Sequence, residues 1–198
     1  MKASIDNIYA VILAAGASSR MGQPKPLLIW KNQPLLEHAI AVGQSVLPGQ
    51  VIVVLGAQAE SIQATVNLEK VTTIINHGWR EGVASSIRSG VKALPSTAEA
   101  ALILLCDTPL IQGVLIQNLL CRWQNEPKYM VACQYQNSVG VPALFPARYF
   151  GLLQELKGDQ GAKKLLLKYS DKVIKIPAEE AALDIDTLSG FNHFIRQY

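Results

Sequence analysis

Ile8-Tyr9-Ala10-Val11-Ile12-Leu13-Ala14-Ala15-Gly16-Ala17-Ser18-Ser19-Arg20-Met21-Gly22-Gln23-Pro24-Lys25 is the stretch from which the rest of the chain is read. Ile8 to Ala14 is an almost unbroken apolar run rich in β-branched residues, the pattern of a strand covered on both faces. It gives way at once to small residues and then to cations. Working outward, comparable runs recur at Val51–Leu55, Val71–Ile75, Ala101–Leu105, Tyr129–Cys133 and Lys172–Ile176. Stretches with helical spacing lie between them, at Pro34–Leu47, Ala57–Leu68, Gly82–Leu94 and Ile111–Trp123, and Pro34 suits a first helical turn. This alternation predicts an α/β fold: a Rossmann-like, doubly wound, mostly parallel sheet with helices on both faces. After Cys133 the pattern loosens. Gly140-Val141-Pro142-Ala143-Leu144-Phe145 reads as loops and short strands, followed by helices near Gln160–Tyr169 and Gly190–Gln197.

The 198 residues suit a single domain, with halves of about 1–125 and 126–198. Charged residues make up 17% and apolar ones 49%, which excludes a disordered chain. The excess of 18 Lys and Arg over 15 Asp and Glu gives +3, compatible with a small anionic substrate and too weak for nucleic acid. Cys106, Cys121 and Cys133 form no close pair, so neither a disulfide framework nor a zinc knuckle fits and a reducing cytoplasm is expected. The N-terminal apolar run is too short for a membrane span and has the wrong flanks for a signal peptide.

Open α/β sheets bind ligands beyond the carboxyl ends of their strands. That places Ala14-Ala15-Gly16, Gly56, Asn76 and Cys106-Asp107 on one rim. Small residues let backbone N–H groups approach an anion, Gly16 permits a left-handed turn, and Arg20 and Lys25 add positive charge. The loop is neither a P-loop nor the dinucleotide fingerprint, and an ordinary strand-to-helix turn stays open as an alternative. Asp107 suits a magnesium site of one or two carboxylates completed by phosphate and water. It equally suits a cap for a helix starting near Ile111, with Pro109 setting the turn. Gly82 would open a helix whose N–H groups favour an anion, with Ser86 in its first turn. Ser85 or Ser86 is otherwise a helix cap, and Trp79 is core or pocket wall. His38, His77 and His193 show no ligand spacing and receive no role.

Leu13-Ala14-Ala15-Gly16-Ala17-Ser18-Ser19-Arg20-Met21-Gly22-Gln23-Pro24-Lys25 resembles the signature loop of the nucleotidyltransferases akin to molybdenum cofactor cytidylyltransferase. The resemblance implies a nucleotide-diphospho-sugar transferase-like fold. It also implies a loop in which Leu13, Ala14, Ala15, Gly16 and Ser18 wrap a triphosphate while Lys25 contacts phosphate. Cys106-Asp107-Thr108-Pro109 is similar to the family's metal-binding segment, and Leu183-Asp184-Ile185-Asp186-Thr187 to its acidic box. Asp107 and Asp186 are thus expected to hold Mg2+, with Asp184 an alternative to Asp186. The stretch from Asn76 to Ser86, with Gly56, resembles the wall of the nucleotide pocket. Gly140 and Pro142, and then Gly158, Asp159 and Gly161, resemble segments that hold molybdopterin. Three departures fall in the second half: Leu188-Ser189-Gly190 after the acidic box, Val141 where a polar residue is common, and Lys163 where Arg is usual.

By that resemblance the chain transfers CMP from CTP to the phosphate of molybdopterin and releases pyrophosphate. Lys25, Arg20 and Asp107 are the expected catalytic residues, and an acceptor phosphate needs no general base. CTP is favoured because the related guanylyl branch usually has Gly where Ala15 stands. Lys25→Ala is expected to abolish most turnover and spare the fold, on the ground that its loop is exposed. Guanylyl transfer, another small phosphorylated acceptor, a non-catalytic cofactor carrier and a regulatory nucleotide-binding module are the alternatives. A transient contact with a molybdenum enzyme would follow from either cofactor reading.

Overall fold

The computed structural model of the protein describes residues 4–19 and 21–198. In chain order the strands are β1 (Ile8–Ala14), β2 (Ile29–Trp30), β3 (Gln33–Pro34), β4 (Val51–Leu55), β5 (Thr72–Ile75), β6 (Ala100–Leu105), β7 (Met130–Tyr135), β8 (Ser138–Pro146) and β9 (Val173–Pro177). The α-helices are α1 (Leu35–Val46), α2 (Ala59–Thr65), α3 (Val83–Lys92), α4 (Gly113–Asn125), α5 (Phe150–Gln154), α6 (Lys163–Lys168) and α7 (Leu188–Gln197).

Seven strands form one sheet in the order β5-β4-β1-β6-β8-β7-β9, and β2 with β3 make a separate short hairpin. Every neighbouring pair in the sheet is parallel except the two that involve β8. From β1 the chain steps outward to β4 and β5, then returns to place β6 on the other flank of β1. The crevice at such a reversal is where open α/β sheets take their ligands. The loops after β1 and β6 therefore meet across it.

The unbroken apolar run of β1 has a direct structural cause. Ile8, Ala10 and Ile12 point to the face packed with Leu36 and Ile40 of α1 and Leu119 and Trp123 of α4. Val11 and Leu13 point to the opposite face, against Ala84, Ile87 and Val91 of α3 and Leu153 and Leu166 beyond. With both faces covered, no position on the strand has room for a charge. Gly90 brings α3 down onto the sheet, since a Cβ there would run into Val11 and lie 3.1 Å from Cγ2 of Val54.

Three expectations need correction. Pro34 is the N-cap of α1 and pairs within the β2–β3 hairpin, so it stands outside the first helical turn. Gly140–Phe145 lies within β8, a strand of nine residues inserted antiparallel between β6 and β7. Its two apolar faces serve both cores, which erases the alternation by which a half-buried antiparallel strand is recognised. The helix expected over Ala57–Leu68 is the shorter α2, Ala59–Thr65. No helix among the described residues is long and apolar enough to cross a membrane.

Candidate active site

A cavity of about 400 Å3 opens on the rim where β1 and β6 end. Its floor and one side come from Leu13–Ser19, its far wall from Trp79, Arg80, Gly82, Val83 and Ser86, and its charged end from Lys25, Asp107 and Asp186. A strand end, a helix start and a distant C-terminal segment thus converge on one space.

The loop after β1 is closed by Ser18. Its Oγ accepts a hydrogen bond from the Lys25 N–H at 2.9 Å, and its carbonyl accepts from the Met21 N–H at 2.8 Å. Ser18 itself takes the left-handed conformation, with φ of +52°. Gly16 was the residue expected to do so, and the structure corrects this: the left-handed glycine of the loop is Gly22, φ +68°. Gly16 contributes open space, since a Cβ there would meet nothing within 4 Å. The Arg20 expectation lies outside the described residues.

At the charged end, Lys25 Nζ donates to Asp107 Oδ2 at 3.0 Å and to Asp186 Oδ1 at 2.7 Å. The Lys25 side chain is only 16% exposed, so its expected setting on an exposed loop is corrected. Burial pushes its pKa down, but the charges and hydrogen bonds of Asp107 and Asp186 outweigh that and hold it above the usual lysine value. Asp107 does not cap α4, whose N-cap is Gln112. The backbone of the acidic box is docked on the same loop, with the Ile185 N–H donating to the Asp107 carbonyl at 3.0 Å. Ile185 is buried with Phe191 and Phe194 of α7, Trp30, Leu35 and Met21, and this small third core aims Asp186 at Lys25. Thr187 caps α7 by accepting from the Gly190 N–H at 3.1 Å. Asp184, the alternative, does not line the cavity; burial and then the charges of Asp186 and Asp107 push its carboxyl up.

The donor set suits a hard divalent cation. Asp107 Oδ1 is buried and has no hydrogen-bond partner among the described residues, and both carboxylates bond to the Lys25 ammonium. Among the described residues no group of three or more His, Cys, Asp and Glu is placed to hold a metal, so phosphate and water would complete the shell. Cys106 lines the cavity but is buried beside Asp107; burial, and then that charge, raise its thiol far above the usual cysteine value. It is inert as a nucleophile.

The far wall is built by Asn76. Its Nδ2 donates to Ser85 Oγ at 2.8 Å and Ser86 Oγ at 3.1 Å, while its Oδ1 accepts from the Gly78 N–H at 3.0 Å. Asn76 is 5% exposed and does not reach the cavity surface, whereas Ser86 does. Neither serine caps α3; the N-cap is Gly82, and Ser85 Oγ donates back to its carbonyl at 2.8 Å. Gly56 also stands behind the surface, packed so closely that a Cβ would lie 2.6 Å from the Ala15 carbonyl and 2.8 Å from Cβ of Trp79.

The helix end expected to offer free N–H groups is partly taken. The Ala84 N–H donates to the Gly158 carbonyl at 3.1 Å, so the Leu156–Asp159 segment covers the start of α3. Arg88 holds that segment by donating to Glu81 Oε1 at 2.8 Å and to the Leu156 carbonyl at 2.7 Å. Of the residues expected to hold an acceptor, Asp159 lines this cavity, Gly158 lies against Gly82, and Gly161 lies beside Val83. Gly140 and Pro142 sit on β8 outside the cavity lining. The sequence reading did not single out Arg80, whose guanidinium stacks 4.5 Å from the Trp79 ring centre at the cavity edge. Neighbouring Trp and Arg are too common for their adjacency to have signalled it.

A family model described as "MobA-like NTP transferase domain" matches residues 10–173. The chain belongs to that family. It is 27% identical to a "Probable molybdenum cofactor guanylyltransferase" of Bacillus mycoides over 192 residues, 92% of this chain and 90% of that protein. It is 36% identical to the "Nicotine blue oxidoreductase" of Paenarthrobacter nicotinovorans over 117 residues, 57% of this chain. That stretch spans only 55% of the latter protein. Among solved structures, Rv0371c of Mycobacterium tuberculosis H37Rv superposes with a TM-score of 0.86 at 26% identity, covering 98% of this chain and 100% of that one. The expected molybdopterin nucleotidyltransferase resemblance and the nucleotide-diphospho-sugar transferase-like fold both hold for this MobA-like chain.

Proposed function

We propose that this MobA-like domain transfers CMP from CTP to the phosphate of a molybdopterin-type acceptor, releasing pyrophosphate, with Mg2+ as its metal. The observation that carries the reading is the convergence of Lys25, Asp107 and Asp186 at the end of a small-residue loop in one cavity. Such a charge arrangement suits a transfer whose barrier lies in alignment and electrostatics.

The backbone of Gly16–Ser18 faces the triphosphate, and the open side of Gly16 lets phosphate come close. Lys25 stabilises charge on the α-phosphate and the leaving pyrophosphate. A divalent cation on Asp107 and Asp186 supplies the remaining neutralisation when bound. Ser86 and the Trp79–Arg80 stack face the nucleoside end of the cavity. Asp159 and its neighbours face the acceptor, which divides the work between the first and second halves of the chain. An acceptor phosphate is already anionic, so no general base is required. The vote for CTP rests on Ala15, which stands where the guanylyl branch usually has Gly; one methyl discriminates by only about 1 kcal/mol.

The test is pyrophosphate release with Mg2+ and molybdopterin, offering CTP, GTP, ATP and UTP separately. Release with CTP well above the others is expected. Release with GTP instead would overturn the base assignment alone. No release from folded protein that still binds CTP would favour another phosphorylated acceptor or a carrier role.

A further inference from the structure

The turn that carries Asp159 into the cavity owes its place to two side chains that do not line the cavity themselves, Glu81 and Arg88. It links α5 to α6, closes through the Gln160 N–H donating to the Lys157 carbonyl at 3.2 Å, and bends at Gly158, φ +59°. Leu156 and Ala162 bury its two ends in the core on the α3 face. Among the described residues three hydrogen bonds tie residues 156–160 to a distant part of the chain, and all three go to residues 81–88. The Ala84 N–H donates to the Gly158 carbonyl, the Gly158 N–H donates to Glu81 Oε1, and Arg88 donates to the Leu156 carbonyl. Arg88 also grips both carboxylate oxygens of Glu81, so two of the three ties hang on one guanidinium fork. Glu81 in turn ends the single 3-10 turn Trp79–Glu81, whose first two residues line the nucleoside end of the cavity. One short element thus meets the nucleotide with Trp79 and Arg80 and holds the acceptor side with Glu81.

On the reading of the two halves just given, we propose that Glu81 and Arg88 are positioning residues: their fork fixes the Asp159 turn against the nucleoside wall and thereby sets the affinity for the acceptor. The carboxylate so placed has no hydrogen bond or ion pair among the described residues, and its Oδ1 crowds the hydrogen face of Gly82. In a cavity otherwise suited to anions it is a ready acceptor for N–H or O–H groups of the ligand. A turn tied only through Ala84 would leave that carboxylate mobile, and acceptor binding would then have to order it. The nucleotide meets the loop after β1 and the start of α3, which stay in place without the fork. Global stability is a poor guide to this role, because a partly exposed ion pair contributes little to the whole fold.

The experiment compares wild type, Arg88→Ala and Arg88→Lys, with circular dichroism to show which variants fold. Two quantities are read: the separate KM values for molybdopterin and CTP in pyrophosphate release, and amide hydrogen exchange of residues 157–160 without ligand. Arg88→Ala is expected to raise the molybdopterin KM about tenfold, keep the CTP KM within about twofold, and speed exchange of the turn at least about tenfold. Arg88→Lys keeps the charge but not the fork, so it should fall between the two; it decides the matter if Arg88→Ala does not fold. A lower kcat with both KM values unchanged would show a merely structural role and overturn the proposal. An equal rise in both KM values would assign the pair to the nucleotide wall and overturn it too. Should wild type itself release no pyrophosphate, the acceptor reading fails separately and exchange decides: an unchanged rate in the variants overturns the latch, a faster one sustains it.

Discussion

Gly82→Ala tests whether the start of α3 and the Leu156–Asp159 segment form one wall. Gly82 has φ of +117° and ψ of −177°, a region in which side chains are strained by about 1–3 kcal/mol. An added Cβ would also lie 2.5 Å from both the carbonyl carbon and oxygen of Gly158 and would strike the Asp159 carboxylate. The carboxylate can swing away, but the Gly158 backbone cannot do so freely. Its carbonyl accepts from Ala84, and its own N–H donates to Glu81 Oε1 at 3.3 Å. Forcing that backbone outward is an overpacking cost of about 1–3 kcal/mol. The two terms overlap in part, so a net loss of about 2–5 kcal/mol is expected in equilibrium urea unfolding. CTP affinity should fall as well, because Val83 and Asp159 line the cavity. Gly16→Ala is the control: with nothing within 4 Å of its Cβ, stability should stay within about 0.5 kcal/mol while CTP binding weakens. A Gly82→Ala protein as stable as wild type would refute the packed-wall argument.

Asn76→Ala removes the donor to both serines and the acceptor for Gly78, and should cost about 1–3 kcal/mol by thermal unfolding, with weaker nucleotide binding through a displaced Ser86. Gly90→Ala should destabilise by about 1–2 kcal/mol even though Ala is the better helix former by about 1 kcal/mol, because its methyl would collide with Val11; a more stable variant would show that α3 does not sit this close to β1. Arg88 holds the Glu81 carboxyl below its ordinary value of 4.5. The contribution of Glu81 is therefore present above pH 4.5 and lost as pH falls through the lowered native pKa. The stability difference between wild type and Glu81→Gln should shrink as denaturation curves are taken below that pH, and a difference that grows on acidification would contradict the clamp.

The small-residue loop after β1 and the placing of Asp107 on the same rim were legible in the sequence because they are local. A buried parallel strand must be apolar throughout, and a loop that admits an anion must be built of small residues; both constraints fall on consecutive positions from Ile8 to Lys25. The sheet edge beyond β6 was not legible. β8 is apolar on both faces because each feeds a different core, so its antiparallel insertion leaves no periodic trace. What only tertiary structure decided is how distant charges were brought together. Asp186 reaches Lys25, 161 positions away in the chain, because Ile185, Phe191 and Phe194 bury against Trp30 and Leu35. The same holds for the far wall, where Glu81 and Arg88 bind a segment from beyond Leu156. Sequence patterns record what each residue needs from its neighbours in the chain. Which carboxylate faces the lysine was settled by hydrophobic packing some distance away, and that packing is specified by shape rather than by any local motif.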